Sequence, residues 1–136
     1  GTLIFAGPLT PASDDAADPT TAALASMQRW LSEIDLGHYE NGWNEMSPQG
    51  QSAMSHEHWL ASAQRVRAPL GQCTERRRIS LAFKRDLQTS QGVFAGEFVV
   101  ARFDTSFENL KNAAEMVTFR KESDGRWKAA SYFIHP

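Results

Sequence analysis

The apolar residues of this chain change their spacing near Thr74, from a helical repeat to the repeat of a β-strand. Before Thr74 they recur every three or four positions, as on the buried face of an α-helix with about 3.6 residues per turn. After it, Ile79, Leu81 and Phe83 alternate with other residues, as in a strand that buries one face. Helices first and strands second favour an α+β domain, in which helices pack on one face of an antiparallel sheet.

Capping signals divide the N-terminal half into separate helices. Asp18 can accept hydrogen bonds from free backbone amides, and Pro19 suits the first helical turn because its missing N–H has no partner there. Gly37 predicts the end of that helix, since glycine adopts the left-handed conformation at little cost. Ser47 and Ser55 repeat the capping signal. The predicted helices are Pro19–Leu36, His38–Met46, a short turn through Ala53, and one from Ser55 that buries Trp59, Leu60, Ala63 and Val66 and ends at Pro69–Gly71.

Four strands are expected to follow, each antiparallel to the one before it. The polar segment Lys84–Gly92 predicts the first loop, and Ser123-Asp124-Gly125 has the composition of a hairpin turn. Alternation of side chains gives the last strand two faces, with Trp127, Ala129, Ser131 and Phe133 on one and Ala130, Tyr132 and Ile134 on the other. The predicted strands are about Thr74–Phe83, Val93–Asp104, Ala113–Glu122 and Arg126–Ile134.

Length and composition are those of one globular domain. A chain of 136 residues is long enough for one domain and short for two, and we expect residues 19–136 to form it. Residues 1–18 are predicted to be an N-terminal tail or linker, whose apolar start suits either the remnant of a signal peptide or an edge strand. The single cysteine, Cys73, excludes an intramolecular disulfide and a cysteine-based zinc cluster.

Charge and hydropathy argue against two classes of partner. The formal net charge of −2 gives the chain no overall attraction for nucleic acid or for an anionic membrane surface. No apolar run approaches the roughly 20 residues that a transmembrane helix needs. The partners to expect are therefore a small ligand or another protein, including a second copy of this chain paired through the sheet.

Several separated motifs occur in the order found in a known family. The longest is W-L-x-x-I-D-x-G-x-Y-x-x-x-W, from Trp30 to Trp43. After it come W-L at 59–60, R-A-P-L-G-x-x-x-x-R over 67–76, a strand over 92–107 that ends in F-x-T-x-F, E-x-V over 115–117, and D-G-x-W-x-x-x-x-Y-F-I over 124–134. From roughly Ala22 to Ile134 the chain therefore resembles the bacterial family of domains of unknown function 4019.

The resemblance implies a small bacterial domain that often follows a signal peptide. A periplasmic or secreted location is expected on that ground, with the cytoplasm as the alternative. The resemblance also implies a cystatin-like or nuclear-transport-factor-2-like fold, with helices on a curved four-stranded sheet. It implies no established activity, and we expect no cofactor. Such folds host enzymes, binding proteins and assembly modules alike, so the fold alone does not decide the function.

The junction at Gly37 carries the candidate catalytic pair. Asp35 and His38 lie on either side of this glycine, with Tyr39 and Trp43 close behind as candidate ligand-binding residues. If a cavity opens there, His38 is a candidate general base and Asp35 its orienting partner, as an isomerase or hydro-lyase would need. The alternative is that both side chains satisfy helix-end backbone groups or face solvent.

The basic cluster consists of Arg67, Arg76, Arg77 and Arg78. Alternation from Ile79 predicts that Arg76 and Arg78 lie on the face opposite the core and Arg77 on the core face. Arg67, Arg76 and Arg78 are candidates for holding an anionic ligand through bidentate contacts. The alternative is that an arginine pairs with an internal carboxylate, for which the candidates are Glu115, Glu97 and Asp35.

The segment His56-Glu57-His58 contains metal-binding residue types at an unsuitable spacing. Residues two apart on a helix point about 200° away from each other, so His56 and His58 cannot bind one ion together. We therefore predict no metal site.

Three hypotheses about function follow from the sequence. The first is an exported, non-catalytic domain that binds a small ligand or a protein partner, because an aromatic framework is present and local catalytic motifs are not. The second is an isomerase or hydro-lyase that uses His38 and Asp35. The third is a purely structural or self-assembling module.

Overall fold

The computed structural model describes residues 18–136, and the tail predicted for residues 1–18 lies almost wholly outside them. Its helices and strands follow the predicted order, so the α+β class is confirmed. The helical elements are α1 (Pro19–Asp35), α2 (Tyr39–Asn44), α3 (Pro48–Ala53), α4 (His56–Ser62), a π-helical turn (Ala63–Arg67) and a 3₁₀ turn (Ala68–Leu70). The strands are β1 (Cys73–Thr89), β2 (Gly92–Phe107), β3 (Leu110–Lys121) and β4 (Trp127–His135).

The capping signals act as predicted. The carboxylate of Asp18 accepts a hydrogen bond from the Thr20 amide at 3.0 Å and so begins α1. Gly37 has a φ of +81°, the left-handed conformation expected of a residue that ends a helix. The hydroxyls of Ser47 and Ser55 accept from amides of the first turns of α3 and α4.

Helix α1 lies on the sheet through its apolar stripe. Ala23, Met27, Trp30, Leu31 and Ile34 are all at most 3% exposed. The indole N–H of Trp30 donates to the carbonyl oxygen of Gly42 at 2.9 Å, and this hydrogen bond joins α1 to α2. A side chain this large and this buried belongs to the core, as its helical spacing predicts.

The four strands form one antiparallel sheet in the order β1-β2-β3-β4. The helices pack on one face of the sheet. The side chains buried between them come from both the helices and the strands. The buried residues of the sheet include Val99, Ala101, Phe103, Val117, Phe119, Trp127 and Ala129. The arrangement of helices on a curled sheet is the one that the resemblance implies.

The loop predicted over Lys84–Gly92 is wrong. Strand β1 runs on to Thr89, and only Ser90 and Gln91 separate it from β2. Polar residues can continue a strand here because this end of the sheet extends beyond the helices, and its side chains are mostly exposed. The two long strands therefore form a hairpin that projects past the core.

Irregular pairing changes which residues of β1 face the helices. Arg78 pairs with Phe103 and Ser80 with Arg102, so Ile79 is an extra residue in the ladder. Ile79 is consequently 47% exposed, and the strict alternation predicted through it is wrong. The residues of β1 before the bulge therefore lie on the face opposite to the one that simple alternation predicts.

A second extra residue, Ala130, reverses the facing of β4. Thr118 pairs with Ser131 and Phe119 with Ala129, so Ala130 has no partner of its own in the β3 ladder. Tyr132 consequently pairs with Val117 on the face that carries the helices, although alternation from Ala129 places it on the other face. The predicted faces of this strand are therefore correct up to Ala129 and wrong beyond it.

Candidate functional site

A network of four charged side chains lies between the end of α1 and the sheet. Asp35 from α1, Arg67 from the π-helical turn, Arg76 from β1 and Glu115 from β3 are joined by hydrogen bonds of 2.7 to 3.2 Å. They come from four separate elements of the fold. The network holds two guanidinium groups and two carboxylates, so its formal charges balance.

Glu115 is the acceptor at the centre of this network. Its side chain is fully buried and accepts from Arg76 at 2.7 Å, from the hydroxyl of Thr105 at 2.6 Å, and from the hydroxyl of Tyr132. Burial and the neighbouring Glu115 carboxylate raise the pKa of Tyr132 well above its usual range. Tyr132 is therefore a stable hydrogen-bond donor at neutral pH.

The bulge at Ile79 brings Arg76 into this network. Arg76 pairs with Thr105 across the β1–β2 ladder, on the face that carries the helices. Burial lowers the pKa of the Arg76 guanidinium, but hydrogen bonds to Asp35 and Glu115 outweigh that effect and raise it. Arg77 instead is 72% exposed and contacts Asp104 at 3.2 Å, so its predicted place on the core face is wrong.

The π-helical turn places Arg67 beneath the helices. Helical spacing predicts that Val66 is buried. The π-helical turn changes this, because its turns are wider than those of an α-helix and shift each later residue around the axis. Val66 is therefore 46% exposed, whereas Arg67 is only 4% exposed. Its guanidinium donates to Asp35 at 3.2 Å and to the carbonyl oxygen of Gly71 at 2.6 Å, and it lies 4.5 Å from the ring centroid of Phe107.

One atom of this network has no partner. Among the described residues, no acceptor lies within hydrogen-bonding reach of Arg67 Nε, although the atom is buried. Buried polar atoms are nearly always paired, so this N–H is an exception among the described residues.

Arg67 lies in the wall of a recess that we call the β4 cleft, bounded by Trp59, Val66, Arg67, Tyr132, Phe133 and Ile134. Its volume is about 290 Å³ and most of its lining is apolar. Val66 stands at its lip and is 46% exposed, whereas the 57% exposed side chain of Phe133, which pairs with Met116, lies on the opposite face of the sheet. Nearer the start of β4, the strand edge is closed by backbone hydrogen bonds between Ala129 and the segment before α3.

A second recess, the α1 groove, opens beside Gly37. It has a floor of Trp30, Phe119 and Trp127, and its rim includes Leu36 and Asn41 on the two sides of Gly37. Its volume is about 730 Å³. The floor residues are at most 8% exposed, so they belong to the core more than to the surface of the groove.

The structure gives Asp35 and His38 different partners. Asp35 Oδ1 accepts from Arg67 and Arg76, and its Oδ2 accepts from Arg76, whereas His38 Nδ1 lies 2.6 Å from Glu33 Oε2 at an exposed position. Tyr39 is buried, and its carbonyl oxygen accepts from the indole of Trp59 at 2.8 Å.

Other predicted residues lie apart from the network. Trp43 stacks on His56 with ring centroids 5.0 Å apart. Arg78 is exposed on β1, and Glu97 lies opposite Arg85 in the β1–β2 ladder. Of the three carboxylates predicted as arginine partners, Asp35 and Glu115 take that role. Within residues 18–136, no group of three His, Cys, Asp or Glu side chains has the geometry to hold a metal ion.

Comparison with models of known families identifies the family of this chain. A family model described as a protein of unknown function, DUF4019, matches residues 26–132. The chain belongs to this family. The DUF4019 match includes the whole charge network and Tyr132. No curated protein and no solved structure gave a match. Within residues 18–136, no helix combines the length and the apolar composition needed to cross a membrane.

Sequence reasoning found three of the four charged residues as candidates for a site and named Glu115 only as a partner. It missed Tyr132, because the bulge at Ala130 hides which face this residue occupies. The run Tyr132-Phe133-Ile134 carried one usable signal. Three consecutive large apolar residues near the end of an edge strand are more than one buried face needs.

Proposed function

We propose that this domain is a non-catalytic binding module that holds a small, largely apolar ligand in the β4 cleft. The observation that carries the proposal is the cleft itself, whose lip residue Val66 leaves apolar surface open to solvent. Recesses that bind small molecules are mostly apolar with a few polar groups, and the β4 cleft has that composition. At about 290 Å³ it suits a ligand of modest size.

The charge network supports binding over catalysis. The candidate pair needs Asp35 to orient His38, but Asp35 is held by Arg67 and Arg76, and His38 contacts Glu33 at an exposed position instead. Burial raises the pKa of the Cys73 thiol, so this residue is not an activated nucleophile either. An isomerase or hydro-lyase built on Asp35 and His38 therefore has less support.

The location of the domain is part of the proposal. Its resemblance to a bacterial family that often follows a signal peptide supports an exported, periplasmic or secreted protein. Fractionation of cells that express the full-length natural gene tests this. Recovery in the periplasm or medium is expected, and recovery in the cytoplasm alone would contradict export while leaving the binding proposal intact.

The binding proposal is tested by titrating 4-phenylbutan-2-one into ¹⁵N-labelled protein and recording amide NMR spectra. We expect saturable shifts at Val66, Phe133 and Ile134, which line the cleft. Ile134→Ser should weaken binding by at least about fivefold, because Ile134 pairs with Glu115 on the face that carries the helices and adds apolar area to the cleft.

Val93→Ser is the matched control for that variant. Val93 is likewise an aliphatic residue of a strand, but it lies on β2 outside the cleft lining and is 59% exposed. It should leave binding unchanged. Shifts confined to the residues of the α1 groove, or an equal loss in both variants, would overturn the β4 cleft as the site.

A further inference from the structure

The two edges of the sheet differ in charge. Strand β1 forms one edge, and its segment 75–86 contains seven charged residues. Charged side chains on an edge strand discourage pairing with another chain. Strand β4 forms the other edge, and its six residues Ala129–Ile134 carry no formal charge. An incoming strand therefore meets charged side chains at β1 and none at this part of β4.

The edge of β4 already holds one backbone segment of this chain. Ala129 donates to the carbonyl oxygen of Glu45 at 3.1 Å and accepts from the amide of Ser47 at 2.7 Å, as in a short parallel strand. The segment then turns away into α3 at Pro48. Beyond Ala129, no other backbone group of residues 18–136 pairs with this edge. An added strand on the rest of β4 would continue a pairing that the fold already makes.

The β3–β4 ladder shows which backbone groups point outward. Pairs in an antiparallel ladder alternate between hydrogen-bonded and non-hydrogen-bonded ones. The backbone of Ala129 points away from β3, so its pair with Phe119 is not hydrogen-bonded. The extra residue Ala130 lies in β4, so the alternation along β3 is undisturbed. Two and four positions along β3, the N–H and C=O groups of Tyr132 and Ile134 therefore also point outward.

The β4 cleft reaches these groups. Three consecutive residues of the strand line it, Tyr132, Phe133 and Ile134. Because the side chain of Phe133 lies on the opposite face of the sheet, Phe133 borders the cleft through its backbone. The other wall includes the apolar residues Trp59 and Val66. At about 290 Å³ the cleft is at the small end for ligand sites, and this volume suits a large apolar side chain.

We infer that the β4 cleft binds an extended segment of another polypeptide, which adds to the free edge of β4 as a fifth strand. This inference rests on the proposed binding function and names the class of ligand. The backbone of the segment bonds to Tyr132 and Ile134, and an apolar side chain enters the cleft beside Trp59 and Val66. The backbone bonds provide affinity for any extended segment, and the cleft selects an uncharged, apolar side chain.

Three forms of the end-blocked peptide Thr-Val-Ser-Phe-Ser-Val-Thr test the inference. One is unmodified, one carries N-methyl groups on its two Val residues, and one carries them on its two Ser residues. Alternate amides of a strand face its neighbour, and N-methylation removes the donor. We expect one methylated peptide to bind at least about tenfold more weakly than the unmodified one, and the other to bind within about threefold of it. The direction of the added strand decides which peptide is weakened, and NMR titration measures all three.

Amide exchange locates the added strand. With saturating unmodified peptide, the N–H groups of Tyr132 and Ile134 should exchange with solvent at least about tenfold more slowly. 4-Phenylbutan-2-one offers no backbone and should leave both rates unchanged. The N–H of Phe133 points toward β3 and is the internal control, whose rate should change by a smaller factor.

Ile134→Pro removes an edge N–H that makes no bond to β3, and Ile134→Ala is the matched control that keeps it. Peptide affinity should fall at least about tenfold further in the proline variant, whereas affinity for 4-phenylbutan-2-one should be similar in both. If the proline variant does not fold, the methylated peptides and the exchange rates of the natural protein decide the question, because they need no substitution.

The outcomes separate the inference from the function on which it rests. If 4-phenylbutan-2-one binds and no peptide does, or if both methylated peptides bind alike, the inference is overturned and the proposed function stands. If neither the ketone nor any peptide binds, both fail. If sedimentation velocity shows a dimer that Ile134→Pro abolishes and Ile134→Ala does not, a second copy occupies the edge and the inference is overturned.

Discussion

The α1 groove and the β4 cleft differ in what their atoms offer a ligand. The α1 groove is the larger, at about 730 Å³, but its aromatic floor is at most 8% exposed and already packed in the core. The β4 cleft is smaller, at about 290 Å³, yet Val66 at its lip keeps 46% of its surface exposed. Volume is therefore the weaker guide, and open apolar area is the stronger one.

The largest effect is expected at the floor of the α1 groove. Trp30→Ala should lower the free energy of unfolding by about 3–5 kcal/mol, because it leaves a large cavity in the core. Urea denaturation measures it. Leu36→Ala is the matched control, since Leu36 lines the same groove at 69% exposure and should change stability by less than about 0.5 kcal/mol. If Trp30→Ala were tolerated, the floor would be free to serve a ligand.

The charge network beneath the β4 cleft should be nearly as sensitive. Glu115→Gln keeps the shape of the side chain but leaves Arg76 undercompensated and reduces the acceptors for Thr105 and Tyr132. Removing one partner of a buried ion pair costs about 3–5 kcal/mol.

Asp104→Asn is the control for that measurement, since it breaks the exposed contact with Arg77 and should cost about 0–1 kcal/mol. Equal losses in the two variants, compared by urea denaturation at pH 7, would show that the buried network contributes no more than a surface ion pair.

Tyr132→Phe should have an intermediate and pH-dependent effect. At pH 7 it should cost about 1.5–3 kcal/mol, because Tyr132 donates to a charged carboxylate. The folded-state pKa of Tyr132 is raised, so its contribution is complete below the unfolded-state pKa and is lost as pH rises toward the folded-state value. The natural protein should therefore lose more stability than the variant between about pH 9 and pH 11. Parallel slopes in urea denaturation across that range would contradict the assigned hydrogen bond.

The smallest effect is expected at the rim of the α1 groove. His38→Ala should change the free energy of unfolding by well under about 1 kcal/mol, because its partner contact is at the surface. The side chains of His38 and Glu33 are 52% and 39% exposed. Thermal and urea denaturation both report it. A loss above about 2 kcal/mol would mean that the α1 groove depends on this pair, and that the two recesses are more alike than their exposure suggests.

The helical half of the fold follows closely from the sequence. Asp18, Gly37, Ser47 and Ser55 act within one or two turns of their own positions, so local rules predict them. The exception is the π-helical turn, which exposes Val66 and buries Arg67. Arg67 is buried there in place of Val66 because Arg67 contacts Asp35, Gly71 and Phe107.

The sheet is less predictable for a reason specific to strands. Side chains alternate with a period of two, so a single extra residue reverses the facing of every residue on one side of it. Ile79 and Ala130 are such residues. The bulge at Ile79 turns Arg76 toward Glu115, and the one at Ala130 turns Tyr132 toward the same carboxylate.

The sequence by itself determined the class of fold, the helix ends, the buried aromatic residues and the residue types that would pair with the arginines. Those features depend on short-range spacing and on the chemistry of single residues, which a sequence displays directly. Only the tertiary structure decided which arginine is buried, which carboxylates it meets and which donor is left without a partner. Those outcomes depend on two bulges and one π-helical turn, whose positions are fixed by packing between elements far apart in the chain.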